Sequence, residues 1–403
     1  MGKIVTASLR EDLLVLSVIG RITSGNAGQL QAEIGELRAA QPHGGLVFDL
    51  SCVEYISSAG LRVLLSVYNE EKKTASRPDF FRLEGVQAAV YETLEITGFA
   101  ELFPVQRALR SISLQNAVPI GGGFFSTVYR LDNEDIIKVY NENAGDGDVQ
   151  RELQMAKYAL LLGIPTAISY DIVEAEGRRG VIFEQMNAGS LRDAVRDNPE
   201  RIGEYIEQYT ELLKQLHAAE DGEHRLTDVR EPVRRAPELL AEYFTPAERE
   251  RLQALLDSIP PCDGIIHGDC HVKNIMLHNG ELLLIDLDTL SRGYPVVELG
   301  NIYYTYTCFE ELWPGNTEEF IGITAAQGKA LRDGVLEGYF RGVSPEDFAA
   351  DLDRVRLIGW LRMLTFLHGF RKEDAAAAEH VVNRLREAMA RVDTLELVLP
   401  ARP

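Results

Sequence analysis

The stretch His267–Asn274, HGDCHVKN, places an aspartate and an asparagine five positions apart in one predicted loop. Downstream, Asn279-Gly280 separates two apolar runs, which is the strongest short signal for a β-hairpin. Such a hairpin returns the chain, so we expect Asp286 to lie beside the loop. Mg²⁺ prefers carboxylate and amide oxygens as ligands. The segment therefore predicts a site where Asp269 accepts a proton while Asn274 and Asp286 hold Mg²⁺.

These residue types are the ones that phosphoryl transfer requires: a metal, a cation on the phosphates, and a carboxylate that orients the nucleophile and takes its proton. A zinc hydrolase is the alternative, because His267, Asp269 and His271 have a spacing that can chelate zinc. That interpretation leaves Lys138 and the glycine-rich stretch Gly121–Gly123 without a role. Phosphoryl transfer is therefore favoured.

The pattern H-G-D-x-x-x-x-N followed by Ile285–Asp288, IDLD, resembles the aminoglycoside phosphotransferase and choline kinase branch of the kinase-like superfamily. The resemblance spans roughly residues 118–380. It implies an α+β two-lobed fold, the use of ATP and Mg²⁺, Asp269 as catalytic base, and Asn274 and Asp286 as metal ligands. Protein kinases carry Arg before the catalytic aspartate and D-F-G at the metal aspartate. Gly268 stands at the first of these positions, which favours a small hydroxyl-bearing acceptor over a protein.

The same resemblance assigns upstream residues to the nucleotide. The stretch Gly121–Tyr129 resembles the loop whose backbone approaches the phosphates, with Ser126 in place of its third glycine. Lys138 occupies the position of the phosphate-pairing lysine, and Glu152 that of the helix acid that positions it. Val181–Met186 resembles the hinge that meets adenine through backbone groups. The nucleotide-binding residues implied are Gly121, Gly123, Ser126, Lys138, Glu152, Glu184 and Met186.

The N-terminal part of the chain has a different pattern of apolar residues. Leu13–Ile19 and Leu46–Leu50 have the composition of buried strands, and Ala27–Ala39 and Gly60–Tyr68 have apolar residues at helical spacing. Strands that alternate with helices predict an α/β domain of roughly one hundred residues.

The segment Asp49–Arg62, DLSCVEYISSAGLR, is similar to the STAS domain of bacterial anti-sigma factor antagonists, and the resemblance spans residues 1–112. It implies a mixed sheet with helices and a protein partner. Ser58 stands where that family carries its regulatory phosphoserine, whereas Ser57 and Ala59 depart from the residues common there. A phosphate on Ser58 would be stabilised by the helix N-terminus. From the residues alone, Ser57 or Ser58 is equally a helix N-cap.

We therefore expect four segments. Residues 1–112 form the STAS domain and residues 113–117 a linker. Residues 118–187 form a kinase-like small lobe, and residues 188–403 a helical large lobe with the catalytic loop.

Composition narrows the partners. The formal net charge of −21 argues against nucleic acid or an anionic membrane, because phosphate binding relies on clustered Lys and Arg. No apolar run reaches the roughly 18 residues of a membrane helix. No signal-peptide pattern is present, and the four cysteines are irregularly spaced, so we expect a cytoplasmic protein with reduced thiols.

Two functions follow from these patterns. The first is an ATP- and Mg²⁺-dependent phosphotransferase for a small molecule, with the STAS domain as a regulatory or docking module. The second is a signalling kinase that phosphorylates Ser58 or the STAS serine of a partner. The excess of acidic residues after residue 116 is compatible with a cationic acceptor, for which Glu298, Glu310 and Glu311 are candidate contacts.

Overall fold

The computed structural model describes residues 3–75, 77–122, 126–131, 135–142, 146–184, 188–392 and 396–399. The chain divides into two compact units, Met1–Ile112 and Ser113–Pro403. None of the described helices is long and apolar enough to cross a membrane.

The first unit is built on one mixed sheet with strand order β1-β2-β3-β4-β5, in which only the β1–β2 pair is antiparallel. Helices follow the strands along the chain, which confirms the predicted α/β class. The elements are β1 (Val5–Arg10), β2 (Leu13–Ile22), α1 (Ala27–Ala40), β3 (Gly45–Ile56), α2 (Ser58–Thr74), β4 (Phe81–Val86), α3 (Ala88–Ile96), α4 (Phe99–Leu102), β5 (Val105–Arg107) and a short β6 (Arg110–Ile112).

Alternation along β2 explains how this sheet is covered. Leu14 and Leu16 face the main core with Leu30 and Ile34 of α1, while Val15 belongs to a separate small cluster. Since successive side chains of a strand point to opposite faces, the apolar run of β2 serves both faces of the sheet.

Gly60, in the first turn of α2, marks a close contact between this helix and the sheet. A Cβ there would lie 2.5 Å from Cγ2 of Ile22 and 2.9 Å from Cγ1 of Ile56. We expect Gly60→Ala to lower the free energy of unfolding of this unit by about 1–3 kcal/mol through overpacking. Gly35→Ala is the matched control, because Gly35 lies in the middle of α1 with open space around it. Alanine there should raise the free energy of unfolding by about 0.5–1 kcal/mol. Hydrogen exchange of the amides of residues 5–112 measures both changes. Equal effects of the two substitutions would contradict the packing account.

The second unit begins with an antiparallel sheet in which neighbouring strands follow the order β10-β11-β9-β8-β7. Val149 of α5 packs against this sheet in a cluster with Tyr140 and Val181. Lys138 lies at the middle of β9, opposite Val128. The elements are β7 (Val118–Gly122), β8 (Ser126–Arg130), β9 (Ile136–Tyr140), α5 (Asp146–Leu161), β10 (Ser169–Ala175) and β11 (Arg178–Phe183).

The remainder is mainly helical, with a three-stranded sheet β12-β14-β15 and a two-stranded sheet β13-β16. The predicted hairpin at Asn279-Gly280 is present: both residues have positive φ, 51° and 89°, as its tight turn requires. The elements are β12 (Ala188–Ser190), α6 (Leu191–Asp197), α7 (Ile202–Ala218), α8 (Arg230–Leu239), α9 (Pro246–Asp257), β13 (Ile265–Ile266), β14 (Ile275–His278), β15 (Glu281–Leu284), β16 (Ser291–Arg292), α10 (Pro295–Tyr303), α11 (Phe309–Leu312), α12 (Ala325–Tyr339), α13 (Pro345–Phe370) and α14 (Ala375–Arg391).

Two features of this unit depart from a regular α-helix: a proline inside α8 and two π-helical turns. Helix α8, Arg230–Leu239, contains Pro237 in its last turns, where Ala236 and Pro237 are both buried. Two π-helical turns, Tyr304–Cys308 and Thr317–Ile321, flank α11. Such turns are rare and occur frequently at functional sites.

Candidate active site

Lys138, on β9 of the antiparallel sheet, contacts one residue of helix α5 and one residue that follows the β14–β15 hairpin. Its Nζ lies 2.9 Å from Oε1 of Glu152 on α5 and 2.8 Å from Oδ1 of Asp286, which follows the β14–β15 hairpin. Burial by itself would lower the pKa of Lys138, but the two carboxylates outweigh it and hold the pKa above its ordinary value. Lys138 is therefore a fixed cation at the point where strand, helix and hairpin meet.

Glu152 is held by a second partner that the sequence patterns did not reveal. The Tyr140 hydroxyl, two residues after Lys138, donates a short hydrogen bond to Oε2 of Glu152. Burial and the neighbouring Glu152 raise the pKa of Tyr140, so this hydroxyl stays protonated and keeps donating. The only available signal was that positions 138 and 140 share one face of a strand.

Asp286 and Asn274 fit a site for Mg²⁺. Asp286 has left-handed backbone geometry, φ 63° and ψ 61°, which is uncommon for a residue with a Cβ and is often kept at functional sites. Burial, followed by the charge of Asp286, raises the pKa of Asp288 to about 6. Two carboxylates are thus crowded together, and a divalent cation held by Asp286 and the amide oxygen of Asn274 would offset their repulsion. Both donors are hard oxygens of the kind Mg²⁺ prefers.

Asp269 is held at the start of its loop by neighbours in the same loop. The Asn274 side-chain amide donates to the Asp269 carbonyl at 3.0 Å and to Oδ2 at 3.3 Å. Nε2 of His271 lies 3.5 Å from the same Oδ2. Burial lowers the pKa of His271, which favours the neutral ring. The Asp269 carboxylate is therefore oriented, yet its side chain remains 39% exposed, so it is accessible from outside the protein.

Hydrogen bonds connect this loop to the segment that leads from β15 to Asp286. The Asn274 carbonyl accepts from the Ile285 amide at 3.0 Å, and the His267 ring contacts the Ile285 carbonyl at 3.0 Å. Gly268 has φ +85°, and a Cβ there would lie 2.8 Å from the Thr289 carbonyl oxygen. The loop that carries Asp269 and the segment that carries Asp286 are thus connected directly. His267 is engaged with backbone, which removes it from the zinc cluster considered above.

Glu298, on α10, binds the backbone of the loop that carries Asp269. This fully buried side chain accepts from the backbone amides of His267 and Gly268, the latter at 3.0 Å, and Asn301 donates to the Gly268 carbonyl at 3.0 Å. Burial raises the pKa of Glu298. The expectation that Glu298 contacts a cationic acceptor is therefore wrong, because its carboxylate faces the loop backbone.

The other two candidate contacts also have internal partners. Glu310 accepts from the amides of Gly315 and Thr317, at 2.7 and 2.9 Å. Glu311 pairs with Arg384 at 2.5 Å. The structure therefore uses these carboxylates for folding, and a pattern of acidic residues alone could not have shown it.

Removing the Glu298 carboxylate should loosen the loop. We expect Glu298→Ala to lower the free energy of unfolding by about 2–3 kcal/mol, because two buried amides lose their acceptor. We also expect kcat to fall on the order of 100-fold, because the loop is misplaced. Glu298→Gln keeps an acceptor oxygen and should retain most of both. Urea denaturation measures the stability of both variants, and steady-state kinetics measures their kcat. Identical losses for the two substitutions would contradict the role of Glu298 as acceptor for the loop amides.

The residues assigned to the nucleotide lie in several places. Gly121 is in β7, paired with Val128, and Ser126 begins β8. Glu184 follows β11, and its carboxylate accepts from the Ile168 amide at 2.8 Å. Gly123 and Met186 lie outside the described residues. Gly121 and Gly122 thus end β7, which pairs with β8, the neighbour of the strand that carries Lys138.

Ser58 is the exposed first residue of α2, in the first unit. Ser57 is the N-cap, and its hydroxyl accepts from the Gly60 amide at 3.3 Å. Of the two serines, Ser57 is therefore the N-cap, whereas Ser58 is exposed.

Known proteins resemble both units. Residues 116–358 match the phosphotransferase enzyme family (APH), and residues 5–112 match the STAS domain. An anti-sigma factor antagonist of Bordetella bronchiseptica, BtrV, is 35% identical over 114 residues, covering 27% of this chain and 92% of BtrV.

Solved structures give similar results. The GDP complex of aminoglycoside 2'-phosphotransferase-IIIa is 16% identical over 74% of this chain and 97% of its own, with a TM-score of 0.46. A choline/ethanolamine kinase family protein from Mesorhizobium loti is 14% identical over 70% of this chain and 89% of its own, with a TM-score of 0.41.

Proposed function

The chain belongs to the phosphotransferase enzyme family, with a STAS domain in front, and we propose that it transfers the γ-phosphoryl group of ATP, with Mg²⁺, to a hydroxyl of a small molecule. One observation carries this proposal: Lys138 contacts Glu152 and Asp286 at once, at 2.9 and 2.8 Å. A phosphate-binding cation and a metal-binding carboxylate are thereby brought to the same point, beside the loop of Asp269. Gly268, in place of an arginine, supports a small acceptor.

Each side chain then has a defined task. Lys138 binds phosphate oxygens of the nucleotide, and Glu152 with Tyr140 keeps its ammonium group in place. Asp269 orients the acceptor hydroxyl and takes its proton as the new O–P bond forms and the bond from phosphorus to ADP breaks. Mg²⁺, held by Asp286 and Asn274, would screen the negative charge of the transferring group. Glu298 and Asn301 hold the Asp269 loop in position during the reaction.

The STAS unit is proposed as a regulatory or docking module for a protein partner. The similarity to BtrV and the exposed hydroxyl of Ser58 support this role. Phosphate on Ser58 would lie at the N-terminus of the 17-residue helix α2, where unpaired amides and the helix dipole stabilise negative charge.

Calorimetry tests the donor and the metal. We expect the full chain to bind ATP in the presence of Mg²⁺ and to bind it much more weakly after chelation with EDTA. GTP serves as the comparison nucleotide, because contacts to the phosphates and to Mg²⁺ do not distinguish guanine from adenine. Absence of binding with either nucleotide would contradict the proposed function.

A further inference from the structure

The loop that carries Asp269 is held by a tyrosine from the first of the two π-helical turns. The Tyr306 hydroxyl accepts from the Val272 amide at 3.0 Å, and Tyr306 is only 3% exposed. Burial raises the pKa of Tyr306, so its hydroxyl stays neutral. Val272 lies between Asp269, the proposed base, and Asn274, the proposed metal ligand. The hydroxyl therefore fixes the loop at a point between the two groups whose separation matters for the reaction.

The π-helical turn explains how Tyr306 reaches the loop. Glu298 and Asn301, three residues apart on α10, already contact the loop backbone, and α10 continues directly into the turn Tyr304–Cys308. In a regular α-helix the residue four positions after Asn301 would lie on the same side, and the fifth would point about 140° away. In a π-helical turn the hydrogen bonds run from residue i to residue i+5, so the fifth residue follows on that side instead. The turn thereby aligns Tyr306 with the two side chains of α10 that contact the loop.

The second π-helical turn, Thr317–Ile321, contacts the next residue of the loop. The ammonium group of Lys273 donates to the Phe320 carbonyl at 3.1 Å, and its Nζ lies 4.7 Å from the centroid of the Phe320 ring. Helix α12 packs against both turns at Gly328, where a Cβ would lie 2.8 Å from a side chain of the second turn and 3.3 Å from the ring of Tyr306. Two consecutive residues of the loop are thus held by two neighbouring turns of the same rare type.

We propose that the two π-helical turns position this loop for phosphoryl transfer, and that Tyr306 is the residue that fixes Asp269 relative to Asn274. Tyr306 is a positioning residue, because it acts on the loop through the Val272 amide. A displacement of about 1 Å can cost on the order of 100-fold in rate, so loss of this hydrogen bond lowers kcat. Binding of ATP depends on Lys138 instead and is retained. This inference rests on the proposed function for the reaction, but the anchoring of the loop can be measured without it.

Tyr306→Phe tests the proposal, because it removes the hydroxyl and keeps the ring. We expect the Val272 amide to exchange its hydrogen about 10-fold faster, measured by mass spectrometry on peptides that cover residues 267–274. The slow hydrolysis of ATP with Mg²⁺, in which water takes the place of the unidentified acceptor, measures the rate. Its kcat should fall at least about 10-fold, while the dissociation constant for ATP changes by less than about 2-fold.

Tyr339→Phe is the matched control. Tyr339, on α12, is also a buried tyrosine of this unit, and its hydroxyl bonds to Nδ1 of His217 at 2.8 Å. Its removal therefore has a comparable effect on folding. We expect the exchange of residues 267–274 and the rate of ATP hydrolysis to stay at the wild-type values.

Lys273→Gln is a second variant, which tests the contact with the other π-helical turn. The Lys273 side chain is only half-buried, so this variant should fold even if Tyr306→Phe does not. We expect faster exchange of residues 267–274 and a lower kcat. In the double variant, kcat should fall by less than the product of the two single effects, because either substitution already frees the same two residues of the loop. Single effects that multiply would contradict a shared role.

The outcomes separate the two proposals. An unchanged exchange rate in Tyr306→Phe, a wild-type kcat for that variant in a protein that hydrolyses ATP, or equal losses of kcat in Tyr306→Phe and Tyr339→Phe would each overturn the positioning role. If Tyr306→Phe accelerates exchange as expected while the wild type neither binds nor hydrolyses ATP, the anchoring of the loop stands and the proposed function fails instead.

Discussion

Asp269→Asn is expected to reduce kcat for phosphoryl transfer on the order of 1,000-fold, because the amide cannot take the proton of the acceptor hydroxyl. The asparagine keeps the shape of the side chain and can still contact Asn274 and His271, so the dissociation constant for ATP should change little. A coupled assay of ADP release measures kcat, and calorimetry measures nucleotide binding.

Asp197→Asn is the matched control for that substitution. Asp197 is a surface aspartate of α6 that pairs only with the neighbouring Arg196 among its described contacts. Its replacement should leave kcat unchanged. A wild-type kcat in Asp269→Asn would remove Asp269 from the chemistry.

Lys138→Met is expected to give the second large effect. It removes the cation that meets Asp286 and leaves Glu152, which is only 6% exposed, paired with Tyr140 alone. We expect kcat/KM for ATP to fall at least about 100-fold, since a fixed positive charge on the phosphates is lost. The free energy of unfolding should fall by about 3 kcal/mol, because a buried carboxylate loses its counter-charge.

Lys329→Met is the control, because Lys329 is an exposed helix lysine that, within the described part of the chain, pairs with Asp333 at i+4. Such surface pairs contribute about 0.3–0.5 kcal/mol, so both quantities should stay near those of the wild type. If Lys138→Met and Lys329→Met gave equal kcat/KM values for ATP, the role of Lys138 would be disproved.

Features of the site that depend on neighbouring residues in the chain could be predicted from the sequence. The Asn279-Gly280 turn needs only positive φ at two positions, so its local signal was sufficient. The Lys138–Glu152 pair was predicted through family resemblance, and the structure places the two groups 2.9 Å apart. The α/β class of the first unit followed from alternating strand and helix signals, and its mixed sheet from the resemblance to the STAS domain.

Features that depend on packing between distant segments could not be predicted. Glu298 was a candidate contact for a cationic acceptor, and only the position of α10 against the loop shows that its carboxylate accepts from backbone amides.

The destination of the phosphoryl group tests the central claim most directly. The full chain would be incubated with ATP labelled with ¹⁸O in the γ-phosphoryl group, Mg²⁺ and a panel of small molecules that carry a hydroxyl, and the label would be located by mass spectrometry in wild type and Asp269→Asn. We predict a labelled phosphoryl group on a small-molecule hydroxyl in the wild type, lost in Asp269→Asn. Label found on Ser58 alone, with every small molecule unlabelled, would contradict the account and identify the chain as a kinase for STAS serines.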